Sequence, residues 1–160
     1  MTFDSRQFRD AMGSFATGVT VVTSMSNRGE PMGITVNSFS SVSLDPPLVL
    51  FCLGFDGNHC REFKESGQYA IHILAEDQGD LCQRFASPIE NRFEGVEYRK
   101  GSGGDAPVFD GSIAVIECRQ HQLIEAGDHL IFLCNVTDLE VNMEKKPLLY
   151  YRGGFPELTS

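Results

Sequence analysis

The 160-residue sequence has no tryptophan, no Cys-x-x-Cys pair, and only 13 lysines and arginines against 22 aspartates and glutamates, a formal charge of −9. Each shortage excludes a class of protein. Basic residues this few and scattered do not make the electrostatic footprint that binds nucleic-acid phosphates or an anionic membrane. The five cysteines, at 52, 60, 82, 118 and 134, lack the paired spacing of a zinc site, and their odd number favours reduced thiols. No apolar run approaches a membrane span, and the opening Met1-Thr-Phe-Asp-Ser lacks the basic start and apolar stretch of a signal peptide, so a cytoplasmic protein is expected. No Pro- or Ser-rich linker breaks the chain, which reads as one domain over residues 1–160.

Three familiar motifs are also missing or out of context. There is no Gly-x-Ser-x-Gly elbow for a hydrolytic serine. Gly13-Ser-Phe-Ala-Thr-Gly18-Val-Thr has the glycine spacing of a phosphate loop but places Val19 where lysine is obligatory. Gly101-Ser-Gly103-Gly-Asp-Ala106 fits Gly-x-Gly-x-x-Ala, yet it leads into Pro107 and a strand rather than the helix N-terminus that would hold a pyrophosphate.

What remains is mostly β pattern. Phe8, Ala11, Met12 and Phe15 recur at helical spacing, with Asp4 and Gln7 placed for a capping box, so the chain should open on an amphipathic helix. The β-branched run 18–25, a Ser26-Asn-Arg-Gly29 turn and a second run over 32–43 predict a hairpin. Further strands are expected at 48–53, 69–74, 112–119, 130–141 and 147–151, and helices near 58–66 and 77–86. Without strand-helix alternation, the fold class is mainly β, an antiparallel barrel with a few peripheral helices.

Three segments carry candidate chemistry. Thr35 to Leu48 is dense in hydroxyls and ends at Pro46-Pro47, which fits a segment that leaves the sheet to present backbone groups to a flat polar ligand. Polar alternation on a solvent-facing strand is the plainer account of the same residues. His129 follows Glu125-Ala-Gly-Asp128 and precedes an apolar strand, which puts it at a strand mouth, where it is either a ligand contact or simple turn chemistry. Tyr150-Tyr151-Arg152-Gly153-Gly154-Phe155 joins aromatics, a cation and paired glycines, suited to stacking on a nucleotide or to ending an edge strand.

Taken together, Phe8 to Thr23, Gly33 to Leu48, Leu74-Ala-Glu-Asp-Gln78, Glu125-Ala-Gly-Asp-His129 and Pro147 to Gly154 resemble the short-chain flavin reductases. These are NAD(P)H:flavin oxidoreductases that act as small components of two-component flavin monooxygenases. The resemblance implies an FMN-binding split β-barrel that forms a homodimer, takes FMN or FAD with NADH or NADPH, and serves a monooxygenase partner. By the same likeness, the flavin ring would lie on Thr35, Val36, Asn37 and Ser38 and on the strand end Cys52-Leu53. Its phosphate end would lie near Gly54, Asn58, His59, Arg92 and Phe93, although Asp56 would repel a phosphate set beside it. His129, Tyr151, Arg152, Gly153 and Gly154 would border the nicotinamide nucleotide. No side chain need act as acid or base, because hydride transfer from nicotinamide to flavin asks the protein for alignment. The rival readings are a non-catalytic flavin- or heme-binding barrel and an oxidase of the pyridoxamine-phosphate type. A ribose 2′-phosphate would want an arginine pair; Arg152 alone is in view, which favours NADH.

Overall fold

The computed structural model describes residues 2–56 and 58–159, with the backbone alone at Asn58. Helix α1 (Ser5–Gly13) starts where the sequence places it. The Asp4 carboxylate accepts the Gln7 N–H at 2.8 Å while the Gln7 side chain accepts the Asp4 N–H at 2.9 Å, a complete capping box. None of its residues is buried.

The chain continues through β1 (Thr17–Gly18), β2 (Thr20–Met25), β3 (Pro31–Val36), β4 (Ser40–Leu44) and β5 (Pro47–Gly54). Helix α2 (Asn58–Ser66), β6 (Gln68–Ile73), a 3-10 turn at Glu76–Gln78 and helix α3 (Gly79–Ala86) follow. The small pair β7 (Arg99–Lys100) and β8 (Pro107–Val108) precedes the long strands β9 (Ala114–Ala126) and β10 (His129–Val141), and β11 (Leu149–Tyr150) pairs with β1. Seven strands form one antiparallel sheet in the order β3-β2-β6-β9-β10-β5-β4.

The two edges of this sheet, β3 and β4, are consecutive in the chain. Asn37 to Phe39 therefore span the opening of a barrel that curls almost shut without a ladder between its edges. The barrel is split rather than closed, and the continuous strand expected over 32–43 is two strands on opposite lips. Its core shows how nearly it closes: Met32 and Val22 share one apolar cluster with Phe51, Leu53, Leu130 and Phe132 from the far side. Phe51 stacks on Phe132 at 4.7 Å, and Tyr69 meets both rings edge-on at 5.3 and 5.7 Å.

A second apolar cluster seats α3 on the outer face of the barrel through Cys82, Phe85, Leu74 and Phe109. It depends on Gly33, since a Cβ there would lie 2.5 Å from the Phe85 ring. The Gly101–Gly104 segment is accounted for in the same way. Glu117, buried, accepts the N–H groups of Ser102 and Gly103 at 2.8 and 2.9 Å, and a Cβ at Gly101 would overlap that carboxylate. The glycines wrap a structural carboxylate.

Strand β10 keeps the expected span 130–141 to within one residue, whereas β9 runs well past the expected end at 119. Gln120 to Ala126 are mostly polar, and their ladder partners lie on β10, beyond the last β6 pair at Gln68 and Arg119. The expected strand 147–151 shortens to Leu149–Tyr150.

Candidate functional site

The unpaired edge of β3 organises the site. The Arg92 guanidinium donates to the Gly33 carbonyl at 2.9 Å from outside the sheet, whereas the Val36 carbonyl accepts the Thr20 hydroxyl at 2.8 Å on the β2 side. In an antiparallel strand the N–H and C=O of one residue point the same way and alternate along the chain. The backbone donor and acceptor of Thr35 therefore share the orientation of Gly33 and face the open edge. The Thr35 hydroxyl does not, because it donates to the Cys82 carbonyl of α3 at 2.7 Å.

A cleft of about 230 Å³ lies against this edge, lined by Val19, Thr35, Val36, Asn37, Cys82, Ala86, Tyr150 and Phe155. Tyr150 and Phe155 pack at 5.7 Å to form one wall. Cys82 and Ala86 sit one helical turn apart on α3 and form another, a relation that their i, i+4 spacing carries in the sequence. Asn37 is exposed at the rim. Ser38 is held differently: its hydroxyl accepts the Cys52 N–H and donates to the Cys52 carbonyl, both at 3.0 Å. Leu53 turns into the core, so only its backbone is offered at this strand end.

At the other end of β3 a cavity of about 440 Å³ is lined by Met32, Gly33, His59, Arg92 and Phe93, together with Glu30, Glu62 and Glu90. Arg92 is anchored by donation to the Ser87 and Gly33 carbonyls. His59 stands in the first turn of α2, where N–H groups lack helical partners and the helix dipole favours an anion. Its Nδ1 is buried with no hydrogen-bond partner among the described residues. Burial, then the Arg92 charge, depresses its pKa below the ordinary value, with Glu62 opposing. An orphaned imidazole nitrogen, a guanidinium and a helix N-terminus form a donor set suited to a phosphate. Asp56 is exposed and does not line this cavity. Phe93 serves the aromatic packing with Phe85 and Tyr98 at the cavity base. The side chain of Asn58 lies outside the described residues.

The residues expected around the nicotinamide lie on two elements of the fold. His129 pairs across the ladder with Gly54, and a Cβ on Gly54 would lie 3.8 Å from its Nε2. It thus stands beside the end of β5, with Nδ1 2.7 Å from the Asp128 carboxylate, which that hydrogen bond holds below the usual carboxylate range. Tyr151 to Gly154 instead follow β11, near α1. The Tyr151 and Gly154 backbones exchange two hydrogen bonds at 2.9 Å around Arg152 and Gly153, which have φ of 48° and 80°. Glycine adopts that backbone freely, whereas arginine does so at a cost. Arg152 also shares a cavity of about 750 Å³ with Arg9, a second guanidinium, so the expectation that Arg152 stands alone, and the lean to NADH drawn from it, does not hold.

The five cysteines are unpaired, and burial pushes the thiols of Cys52, Cys60 and Cys82 up, away from reactive thiolate. Among the described residues no helix is long and apolar enough to cross a membrane.

A split antiparallel barrel whose open edge runs from a stacking cleft to an anion pocket defines the class of nucleotide-binding split barrels. Residues 12–159 match the family described as "Flavin reductase like domain", and the chain belongs to that family. The chain is 47% identical over 153 residues to the "Probable flavin reductase" of Rhizobium meliloti strain 1021, covering 96% of this chain and 49% of that one. It thus spans about half the length of this relative. The reductase subunit HsaB of a flavin-dependent monooxygenase from Rhodococcus jostii strain RHA1 is 37% identical over 152 residues, 95% of this chain and 77% of HsaB. Among solved structures, the NADH:FAD oxidoreductase SgcE6 of Streptomyces globisporus C-1027, in complex with NAD and FAD fragments, superposes with a TM-score of 0.92 at 37% identity. The match covers 98% of this chain and 93% of SgcE6.

Proposed function

We propose that the protein is an NAD(P)H:flavin oxidoreductase that passes reduced FMN or FAD to a partner monooxygenase. The observation that carries this reading is the edge of β3. Thr35 offers a backbone donor and acceptor beside the cleft, and Met32 and Gly33 border the anion pocket only two to three residues away. At about 3.3 Å per residue, that separation suits a flavin ring and the phosphate on its ribityl chain.

When bound, the nicotinamide and the flavin would supply the hydride chemistry themselves. The residues do the rest. Thr35 and Asn37 meet the polar edge of the ring, and donors aimed there stabilise the charge it gains on reduction. Tyr150, Phe155 and Val19 exclude water from one side, and Ser38 fixes the lip of the barrel against Cys52. His59, Arg92 and the start of α2 hold the phosphate, while Glu30, Glu62 and Glu90 in the same cavity weaken that hold, as suits a flavin that enters and leaves. Alignment of this kind supplies up to about 7 to 11 kcal/mol without an acid or base.

The same reading includes a homodimer. Phe8, Met12 and Phe15 are 52, 56 and 76% exposed on and just after a helix with no buried residue, and Leu44 on the edge strand β4 is 97% exposed. A second copy is the natural cover for such apolar surface. The unpaired thiols fit a cytoplasmic setting.

The deciding experiment mixes the purified protein with NADH and FMN or FAD under air and follows the nicotinamide absorbance. Continuous oxidation supports the reductase, and tight yellow colour without turnover favours the non-catalytic binding barrel instead. Light scattering that returns the monomer mass at micromolar concentration would remove the dimer.

A further inference from the structure

The largest cavity described above is not the cleft against β3. It is the space of about 750 Å³ bounded by Arg9, Asp10 and Gly13 of α1 and by Ser14, Tyr150 and Arg152. Tyr150 also lines the cleft, so the two spaces meet at that ring. The phosphate pocket at His59 and Arg92 opens at the opposite end of β3 and shares no lining residue with this cavity. An elongated ligand that leaves the cleft past Tyr150 therefore moves away from the flavin phosphate and enters the cavity between α1 and the Tyr151–Gly154 turn.

The lining is built for one polarity. Arg152 is held facing it by its N–H, which donates to the Gly13 carbonyl at 3.0 Å, and by its guanidinium, which donates to the Ser14 hydroxyl at 3.4 Å and lies 5.2 Å over the Tyr151 ring. Ser14 in turn donates to the Asp10 carbonyl at 3.0 Å, tying the turn to the end of α1. Among the described residues neither Arg9 nor Arg152 is paired with a carboxylate, although five of the chain's other arginine and lysine side chains are. Two unpaired guanidiniums in one cavity are a receptor for a phosphate diester or pyrophosphate. Asp10 is the one acid on that lining. A carboxylate there accepts a ribose hydroxyl and repels a ribose phosphate, the same chemistry by which an acidic residue selects the unphosphorylated dinucleotide elsewhere.

Resting on the reductase reading, we propose that this cavity binds the adenosine diphosphate half of the nicotinamide nucleotide, with Arg9 and Arg152 on the pyrophosphate and Asp10 selecting NADH over NADPH. Arg9 and Asp10 are specificity-determining residues in this arrangement, remote from the transferred hydride.

The test uses the full chain and calorimetric titration with ADP-ribose and its 2′-phosphate, beside steady-state turnover with NADH, NADPH and dihydronicotinamide mononucleotide, which lacks the adenylate. Arg9→Ala should weaken ADP-ribose binding and raise the KM for NADH, each by about tenfold, while the KM for the mononucleotide stays as in wild type. Asp10→Asn should narrow the preference for ADP-ribose over its 2′-phosphate and for NADH over NADPH. Arg152→Asn keeps a residue at ease in the left-handed backbone and should repeat the Arg9→Ala pattern, so that loss of the turn is not mistaken for loss of the cation. Unchanged ADP-ribose affinity in Arg9→Ala and Arg152→Asn overturns the proposal even if wild type reduces flavin briskly. Conversely, ADP-ribose binding that depends on both arginines in a protein that oxidises no NADH upholds the adenylate site and overturns the reductase reading alone.

Discussion

Ser38 and Cys52 hold one another by a reciprocal pair of hydrogen bonds, the serine hydroxyl taking the Cys52 N–H and returning its own proton to the Cys52 carbonyl, both at 3.0 Å. This pair fastens the linker between the barrel's two edges to β5 at the place where no ladder closes it. Ser38→Ala leaves two half-buried backbone groups without their partner, a loss of about 1 to 3 kcal/mol. Urea unfolding should show a lowered midpoint. Flavin titration by fluorescence quenching should show weaker binding, because the lip loses its anchor. Wild-type values in both experiments would refute this role.

Asn37 gives the complementary case. It is exposed at the rim, and no hydrogen bond of its side chain is seen among the described residues, so the free protein gains nothing from its amide. Asn37→Leu should leave the unfolding midpoint close to wild type and weaken flavin binding by about 1 to 3 kcal/mol, the cost of an unmet polar edge on the bound ring. Unaltered flavin affinity in the folded variant would move the ring elsewhere.

The contrast between these neighbours shows what the sequence discloses and what it withholds. The capping box at Asp4 and Gln7, the bounds of α2 and the apolar strand of β5 are local, and they are legible because each depends on residues within a turn or a two-residue period. The density of hydroxyls from Thr35 to Ser43 draws attention to the segment whose residues 35–37 line the cleft beside β3. Which hydroxyls are free is not legible. Thr35 spends its own on Cys82, 47 positions away, and Ser38 spends its own on Cys52, 14 positions away. The pairing of Arg9 with Arg152 across nearly the whole chain has no local signature either, and the glycines at 101–104 imitate a nucleotide motif only because Glu117 needs room beside them.

His72 gives the fold a defined acid weakness. It is wholly buried, its Nδ1 donates to the Val21 carbonyl at 3.0 Å, and its Nε2 accepts the Phe109 N–H at 3.1 Å, an arrangement that needs the neutral ring. Burial, against the Val21 hydrogen bond, lowers its pKa from 6.5 to about 4. The unfolded chain therefore takes up the proton first. The stability contributed by the neutral ring is complete above pH 6.5 and is lost as the pH falls toward 4, amounting to about 3 kcal/mol over that window. Urea titrations across the range should show wild type converging on His72→Gln as the pH drops. Parallel curves for the two proteins would contradict the assignment.

His129 separates a ligand contact from a strand-edge residue. It is half-exposed at the start of β10, beside Gly54 at the end of β5, and its Nδ1 is engaged by Asp128 at 2.7 Å, which leaves Nε2 as the atom free to meet a ligand. Hydride transfer to a flavin needs no general base, so the part we propose for it is to position the nicotinamide nucleotide. His129→Ala should raise the KM for NADH by roughly tenfold, equivalent to about 1.4 kcal/mol of lost binding, while flavin affinity and the melting temperature stay with wild type. Because Asp128 orients the ring through an exposed hydrogen bond, Asp128→Asn should reproduce part of that KM increase without altering flavin binding. A purely structural histidine gives the opposite pattern, a lower melting temperature with parallel losses in affinity for both ligands. Steady-state kinetics and a melting curve on His129→Ala decide between them, and a fully active, stable variant would exclude both roles.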